Sequence, residues 1–122
     1  MTIVCMDNTP IMLQSLKENA QKAYQNADVQ AFLCADAAWK YAAQFGCDVL
    51  LCEINPPRLE GLFLAERIQK INPRVNIIFV TVCSESEHAR AVMRLKPSGY
   101  LTKEATSAQL QEELKNLRYQ VA

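Results

Sequence analysis

The sequence predicts an α/β fold: a doubly wound (βα)5 arrangement with a parallel five-stranded sheet between helices. Three observations predict it. Short apolar runs alternate five times with segments whose apolar residues recur at helical spacing. Two of the runs, Val49-Leu50-Leu51-Cys52 and Val75 to Val82, are almost wholly apolar, as strands buried on both faces are. No linker, repeat or low-complexity stretch divides the 122 residues, so residues 1–122 read as one domain with a single core.

Thr2 to Met6 is the first strand, and Asp7-Asn8 ends it. Thr9-Pro10 suits the cap and first turn of a helix. From there Ile11, Leu13, Leu16, Ala20, Ala23 and Tyr24 keep roughly helical spacing, while Lys17, Glu18 and Lys22 face outward. Asn26-Ala27-Asp28 is a turn and Val29 to Leu33 the second strand. Asp36 or a neighbour caps a second helix that runs to about Phe45, where Gly46 stops it. Asp48 to Ile54 is the third strand, broken by Asn55-Pro56-Pro57. Glu60 to Ile71 is helical, with Leu62, Leu64, Ala65 and Ile68 inward, and Asn72-Pro73 ends it. Val75 to Val82 is the fourth strand. Ser84 caps the next helix, Glu85 to about Leu95, with Ser84 and Glu87 matching a capping box. Lys96-Pro97-Ser98-Gly99 is a turn, and Tyr100-Leu101-Thr102 a short fifth strand. Thr106 caps the last helix, which runs to about Tyr119 with Leu110, Leu114 and Leu117 on one face.

Composition excludes several classes. The net charge is zero and the pI is near 6.6, without the basic excess that nucleic-acid binding needs, so no direct nucleic-acid partner is expected. No apolar run approaches the roughly 20 residues that span a bilayer. The opening MTIVCMDNTP has neither the basic flank nor the long apolar segment of a signal peptide. A cytoplasmic location without membrane partners is the expectation. The cysteines Cys5, Cys34, Cys47, Cys52 and Cys83 include no CxxC pair, and His88 is the single histidine, so a zinc site is not expected. They read as reduced, buried small hydrophobes.

In a doubly wound sheet, ligands bind beyond the carboxyl ends of the strands, where the strand order reverses beside the first strand. Asp7-Asn8, Glu53, Thr81 and Lys103 each end a predicted strand, and the fold carries them all to that edge. Polar strand ends that merely meet solvent explain one or two of these positions, but explain the full set less well.

These residues carry a resemblance. Asp7-Asn8-Thr9-Pro10, the stretch DVLLCEINPPRLEG, the segment NIIFVT ending in Thr81 and GYLTK ending in Lys103 together resemble a response-regulator receiver domain of two-component signalling, over the whole chain. The resemblance implies a flavodoxin-like three-layer sandwich with strand order 2-1-3-4-5. It implies a signalling module rather than an enzyme, with no catalytic residue singled out. It places a phosphoacceptor at position 53 and a magnesium site at Asp7, Asn8 and Glu53. Thr81 becomes the hydroxyl that contacts a phosphoryl group, Lys103 the lysine that pairs with it, and Tyr100 the aromatic switch residue. The implied partners are a histidine kinase, an output domain, or a second copy through the fourth and fifth helices. A module cut from a longer regulator would look the same.

The departures bear on function. The acceptor position holds Glu53 rather than aspartate, the acid pair ends in Asn8, two prolines follow Asn55, and Glu104 follows Lys103. Magnesium favours octahedral oxygen ligands, so an amide in place of a carboxylate weakens its binding. Phosphoryl transfer depends on positioning, and an error of about 1 Å can cost about 10²-fold. The longer Glu53 carboxylate also approaches Lys103 and Thr81. Two readings of that approach stand side by side: a permanent pair that imitates the modified state, or simple space filling. The leading expectation is therefore an atypical receiver, phosphorylation lost or impaired, that regulates an output such as transcription. A working, magnesium-dependent receiver and a small-molecule binder using the same crevice are the alternatives; only three glycines and no Gly-rich phosphate loop favour the latter little.

Overall fold

The computed structural model describes residues 1–54, 59–82 and 89–121. Within them the chain alternates β1 (Thr2–Met6), α1 (Pro10–Ala23), β2 (Asp28–Phe32), α2 (Ala35–Phe45), β3 (Val49–Ile54), α3 (Glu60–Ile71), β4 (Asn76–Thr81), α4 (Ala89–Arg94), β5 (Gly99–Thr102) and α5 (Ser107–Lys115). The strands form one parallel sheet in the order β2-β1-β3-β4-β5, the flavodoxin-like order expected.

Strand side chains alternate between two faces, and each face buries its own core. Val4 and Met6 of β1, Leu50 and Cys52 of β3, and Ile77 and Phe79 of β4 pack under α2, α3 and α4 through Ala38, Ala42, Leu62, Ala65, Ile68 and Val92. Ile3 and Cys5, Val49 and Leu51, and Ile78 and Val80 pack under α1 and α5 through Leu13, Leu16, Ala20, Leu110 and Leu114. Every residue of β3 and β4 is buried, which is why their sequences carry no polar alternation. Arg67 of α3 lies 4.1 Å from the ring centre of Trp39 on α2, a cation–π contact that joins the two helices. No helix of the described residues is long and apolar enough to cross a membrane.

The structure moves several sequence expectations, Asp28 from the turn into β2 among them. Helix α2 starts after Cys34, with no side-chain cap, and Asp36 instead lies in its first turn, 3.1 Å from Lys40. Cys34 is exposed rather than buried. Gly99 belongs to β5 rather than to the turn before it. Its missing Cβ makes room for Glu113, whose Oε2 would lie 2.4 Å from one. Helix α5 begins with the expected cap at Thr106, which the structure completes as a capping box with Gln109, but stops at Lys115, short of Tyr119. The chain beyond it is claimed by side chains: the Tyr119 N–H donates to Asn76 Oδ1 at 2.7 Å, Asn76 Nδ2 donates to the Tyr119 carbonyl at 3.0 Å, and the Arg118 N–H donates to Ser98 Oγ at 2.9 Å. The Asn55-Pro56-Pro57 break, the Ser84–Glu87 capping box, Cys83 and His88 lie outside the described residues.

One glycine holds α3 against β3. A Cβ on Gly61 would lie 1.6 Å from the backbone carbonyl oxygen of Glu53, which cannot yield as a side chain can. In an ordinary helix, Gly→Ala is worth about 1 kcal/mol of stability. Here Gly61→Ala should have the opposite sign, with a loss of about 3 kcal/mol or more from forced separation of α3 and β3. Urea unfolding of the two proteins measures it.

Candidate functional site

The site follows from strand parity. Glu53 continues the row of Val49 and Leu51 on β3, and Asp7 continues that of Ile3 and Cys5 on β1. Both carboxylates therefore point to the face covered by α1 and α5. Met6 pairs with Cys52, so Asp7 and Glu53 are the next neighbours across the ladder. Lys103 follows β5, and its N–H donates to the Thr81 carbonyl at 2.7 Å, which extends the β4–β5 ladder by one step. Leu101, two residues earlier, packs on the same face. The sheet thus brings Asp7, Glu53 and Lys103 together from three strands.

Asp7 is fully buried and Glu53 is 1% exposed. Lys103 Nζ donates to Glu53 Oε2 at 2.6 Å and forms an ion pair with Asp7 Oδ2 at 3.2 Å. The contact to Asp7 lies outside hydrogen-bond geometry, so Oδ2 accepts no hydrogen bond among the described residues and is balanced by charge alone. The other two oxygens take main-chain donors from the turn between β1 and α1. The Thr9 N–H reaches Asp7 Oδ1 at 2.9 Å and the Asn8 N–H reaches Glu53 Oε1 at 2.9 Å. Carboxylates in low dielectric need such partners.

The remaining expected residues, Asn8, Thr81 and Tyr100, lie outside this contact. Asn8 is exposed, and its Nδ2 donates to the Leu33 carbonyl at 2.8 Å, tying the amide to the end of β2. The Thr81 hydroxyl, buried, donates to the Ile54 carbonyl at 2.8 Å. Tyr100 is half-buried against the opposite core, under α2, α3 and α4. The structure therefore unites Asp7, Glu53 and Lys103 in direct contact, sets the Asn8 N–H on Glu53, links Thr81 to Lys103 through its main-chain carbonyl, and puts Tyr100 on the other face. Two participants escaped the sequence reading, the main-chain N–H groups of Asn8 and Thr9. Asp-Asn-Thr-Pro at the end of a strand was their only signal, since its tight turn aims successive N–H groups one way.

Burial raises the Asp7 pKa above the usual 3.8 and the Glu53 charge adds to this, while the Thr9 N–H and the Lys103 ammonium offset part of it. For Lys103, desolvation pulls the pKa down, but the Glu53 hydrogen bond and the charges of Asp7 and Glu53 outweigh it, and the net shift is upward. The thiols are no part of this chemistry: burial pushes Cys5 up to about 12 and Cys52 well above its usual value. A low-pKa thiolate beside Lys103 is therefore absent at Cys5 and Cys52. The cavity bordering Lys103, lined also by Met12, Leu16, Val80 and Leu110, measures about 30 Å³. A small-molecule cofactor needs roughly 300 Å³ or more, so this cavity offers the small-molecule reading no support.

Comparison with known proteins converges on one group. A family model described as the response regulator receiver domain matches residues 3–115. The chain is 27% identical over 105 residues to the Fimbriae Z protein of Salmonella typhimurium, covering 84% of this chain and 49% of that one. It is 29% identical over 72 residues to the response regulator GacA of Pseudomonas aeruginosa, covering 59% of this chain and 34% of that one. The chain thus spans half or less of the length of these curated relatives. Among solved structures, a CheY-like response regulator receiver domain protein from Methanospirillum hungatei superposes with a TM-score of 0.81 at 22% identity, covering 93% of this chain and 90% of that one.

Two substitutions test the electrostatics. Lys103→Met leaves two buried carboxylates without their cation and should cost about 3 kcal/mol, the low end for a buried pair, because Lys103 keeps 14% of its side chain exposed. A folded-state pKa above the usual 10.5 means that the Lys103 contribution is complete below that value and is lost as pH rises through the folded one. The gap between wild type and Lys103→Met in urea unfolding should therefore narrow at strongly alkaline pH. Asp7 has the same sign in the acid range: its raised pKa favours the folded state below 3.8, and that advantage is lost as pH rises through the folded value. Asp7→Asn keeps an acceptor for the Thr9 N–H, so it should raise the urea midpoint at neutral pH and lose that gain in acid.

Proposed function

The chain belongs to the response regulator receiver domain family, and on that premise we propose that it is an atypical receiver: a protein-interaction or dimerisation switch in which phosphoryl transfer to position 53 is lost or strongly impaired. What carries this reading is the Glu53–Lys103 contact at 2.6 Å inside a closed pocket. By the family pattern, position 53 accepts the phosphoryl group and Lys103 contacts it afterwards. The longer glutamate already delivers a carboxylate to Lys103, and its second oxygen is held by the Asn8 N–H at 2.9 Å. A nucleophile for in-line displacement needs an unencumbered oxygen and room beyond it, and neither oxygen of Glu53 has that freedom.

Magnesium, the metal of the family, would be held by Asp7, Asn8 and Glu53. The donors present do not fit it. Asp7 and Glu53 converge on an ammonium rather than on a gap, and the Asn8 amide is bound at 2.8 Å to the Leu33 carbonyl. Among the described residues, no group of three or more His, Cys, Asp or Glu side chains converges as a metal cluster would. Thr81 and Tyr100 occupy the positions from which the family relays a change at the acceptor to the face of α4, β5 and α5. The pre-formed Glu53–Lys103 pair supports an active-like setting of that relay. The partners proposed are a histidine kinase or output module and a second copy through α4 and α5, where Met93 is 65% exposed. The output, proposed as transcriptional, belongs to an attached or separate module.

Incubation with acetyl phosphate or beryllofluoride in magnesium buffer tests the reading by intact mass and by titration. The expected result is no phosphoryl adduct and no saturable beryllofluoride binding. Robust modification at Glu53 would overturn it. Lys103→Ala should also change the oligomeric state or the binding of partners, read by light scattering. Behaviour identical to wild type would reduce Glu53 to space filling.

A further inference from the structure

We propose that the groove between α3 and α4 docks an acidic peptide segment of a partner protein. Lys70 and Arg94 take its carboxylates, and Ala91 and Leu95 seat an apolar side chain between them. The groove lies on the face of the sheet opposite the one to which Asp7 and Glu53 point, so the proposal does not depend on the state of that pocket.

Charge carries the case. The chain is neutral as a whole, but its charge is segregated. Residues 61–103 hold seven Lys and Arg against three Glu, while the rest of the chain holds six against ten Asp and Glu. Three of the seven cations are engaged: Lys103 with the two buried carboxylates, Arg67 over Trp39, and Arg74 over the Tyr119 ring. The other four, Lys70, Arg90, Arg94 and Lys96, are exposed, and their side chains make no hydrogen bond or ion pair among the described residues. All four belong to α3, to α4 or to the turn after it, and two of them line the groove. Unpaired like charges gathered in one place draw an anionic partner.

The second observation is the shape of the groove. It measures about 310 Å³, with Glu66, Gln69 and Lys70 of α3 on one side and Ala91, Arg94 and Leu95 on the other. Its walls are joined, because Gln69 Nε2 donates to the Leu95 carbonyl at 2.7 Å. That bond sets the spacing of the walls before a partner arrives, which lowers the ordering cost of binding. It also covers a carbonyl at the end of α4, where a bare oxygen would repel a carboxylate. Leu95 is buried and Ala91 half-buried against the core, so the floor is apolar. Cations above an apolar floor suit a segment that carries carboxylates on either side of one apolar residue. Glu66 lines the same groove and opposes a ligand charged along its whole length, such as a nucleic acid.

The test uses the whole chain and three fluorescein-labelled probes: a short peptide with one leucine between pairs of glutamates, its counterpart with glutamines for the glutamates, and a single-stranded oligonucleotide. Anisotropy reports affinity, and amide shifts of Gln69, Lys70, Ala91 and Leu95 report the place. The glutamate peptide should bind saturably, shift those amides most, and weaken as salt rises. The glutamine peptide should bind about tenfold more weakly or worse. Lys70→Glu combined with Arg94→Glu should lose the glutamate peptide by a similar factor and gain a peptide with lysines in their place, an exchange that loss of folding does not produce. Should the double variant fail to fold, Arg94→Gln alone decides: a severalfold loss supports the proposal, and unchanged affinity overturns it. Equal binding of the glutamate and glutamine peptides, shifts centred elsewhere, or no saturable binding to wild type would also overturn it. An oligonucleotide that binds as tightly as the glutamate peptide would do the same, by making the groove a general polyanion site.

Discussion

Two carboxylates buried side by side are the constraint on which the rest of this structure depends. Asp7 and Glu53 are adjacent across β1 and β3 and almost wholly inaccessible. Left alone, such a pair would cost more than a small domain can spare. The fold answers with one ammonium from β5 and two main-chain N–H groups from the turn after β1. That answer demands the observed strand order. β1 and β3 must be central neighbours for the carboxylates to meet. β5 must run parallel to them and end on the same edge for the lysine to arrive. Gly61 lets α3 pack so close to the end of β3 that even a methyl group is excluded, which fixes the backbone from which Glu53 projects.

Much of this was legible in the sequence, because the signals involved are local. Uninterrupted apolar runs marked β3 and β4, and Thr106 marked the start of α5 as the cap that the structure contains. The shared strand edge named Asp7, Glu53, Thr81 and Lys103, of which the structure joins the side chains of Asp7, Glu53 and Lys103. What was not legible depends on partners distant in sequence. The end of α5 is decided by Asn76, forty-odd residues earlier, through hydrogen bonds to Tyr119. The periodicity of Leu110, Leu114 and Leu117 carries no trace of that competition. The exposure of Cys34 has a local cause: its apolar neighbours suggested burial, but it lies at the open start of α2. The engagement of Asp7 and Glu53 by main-chain donors was hidden because backbone groups are the same at every position.

The family supplies a pattern of positions, and in this chain the residue at position 53 is a glutamate whose carboxylate reaches Lys103. An aspartate at position 53 would end short of Lys103 by about one carbon–carbon bond, roughly 1.5 Å. Glutamate closes that distance to a hydrogen bond of 2.6 Å. The overall fold is kept at low identity: the TM-score to a receiver domain protein with 22% identity is 0.81. Family membership and the state of the pocket are therefore separate questions, answered by different residues.

Asn76 gives β4 a second attachment. At its amino end the strand holds the main chain of Tyr119 through both atoms of one buried amide. At its carboxyl end stands Thr81, whose carbonyl receives the Lys103 N–H. The five residue steps between them span about 17 Å of extended backbone. In mechanical terms β4 is a tie-rod, clamped at one end to the segment after α5 and at the other to the strand end that carries the lysine. A pull on either end is carried by covalent bonds along the rod's axis, the stiffest direction a protein has, rather than through the yielding contacts of packed side chains.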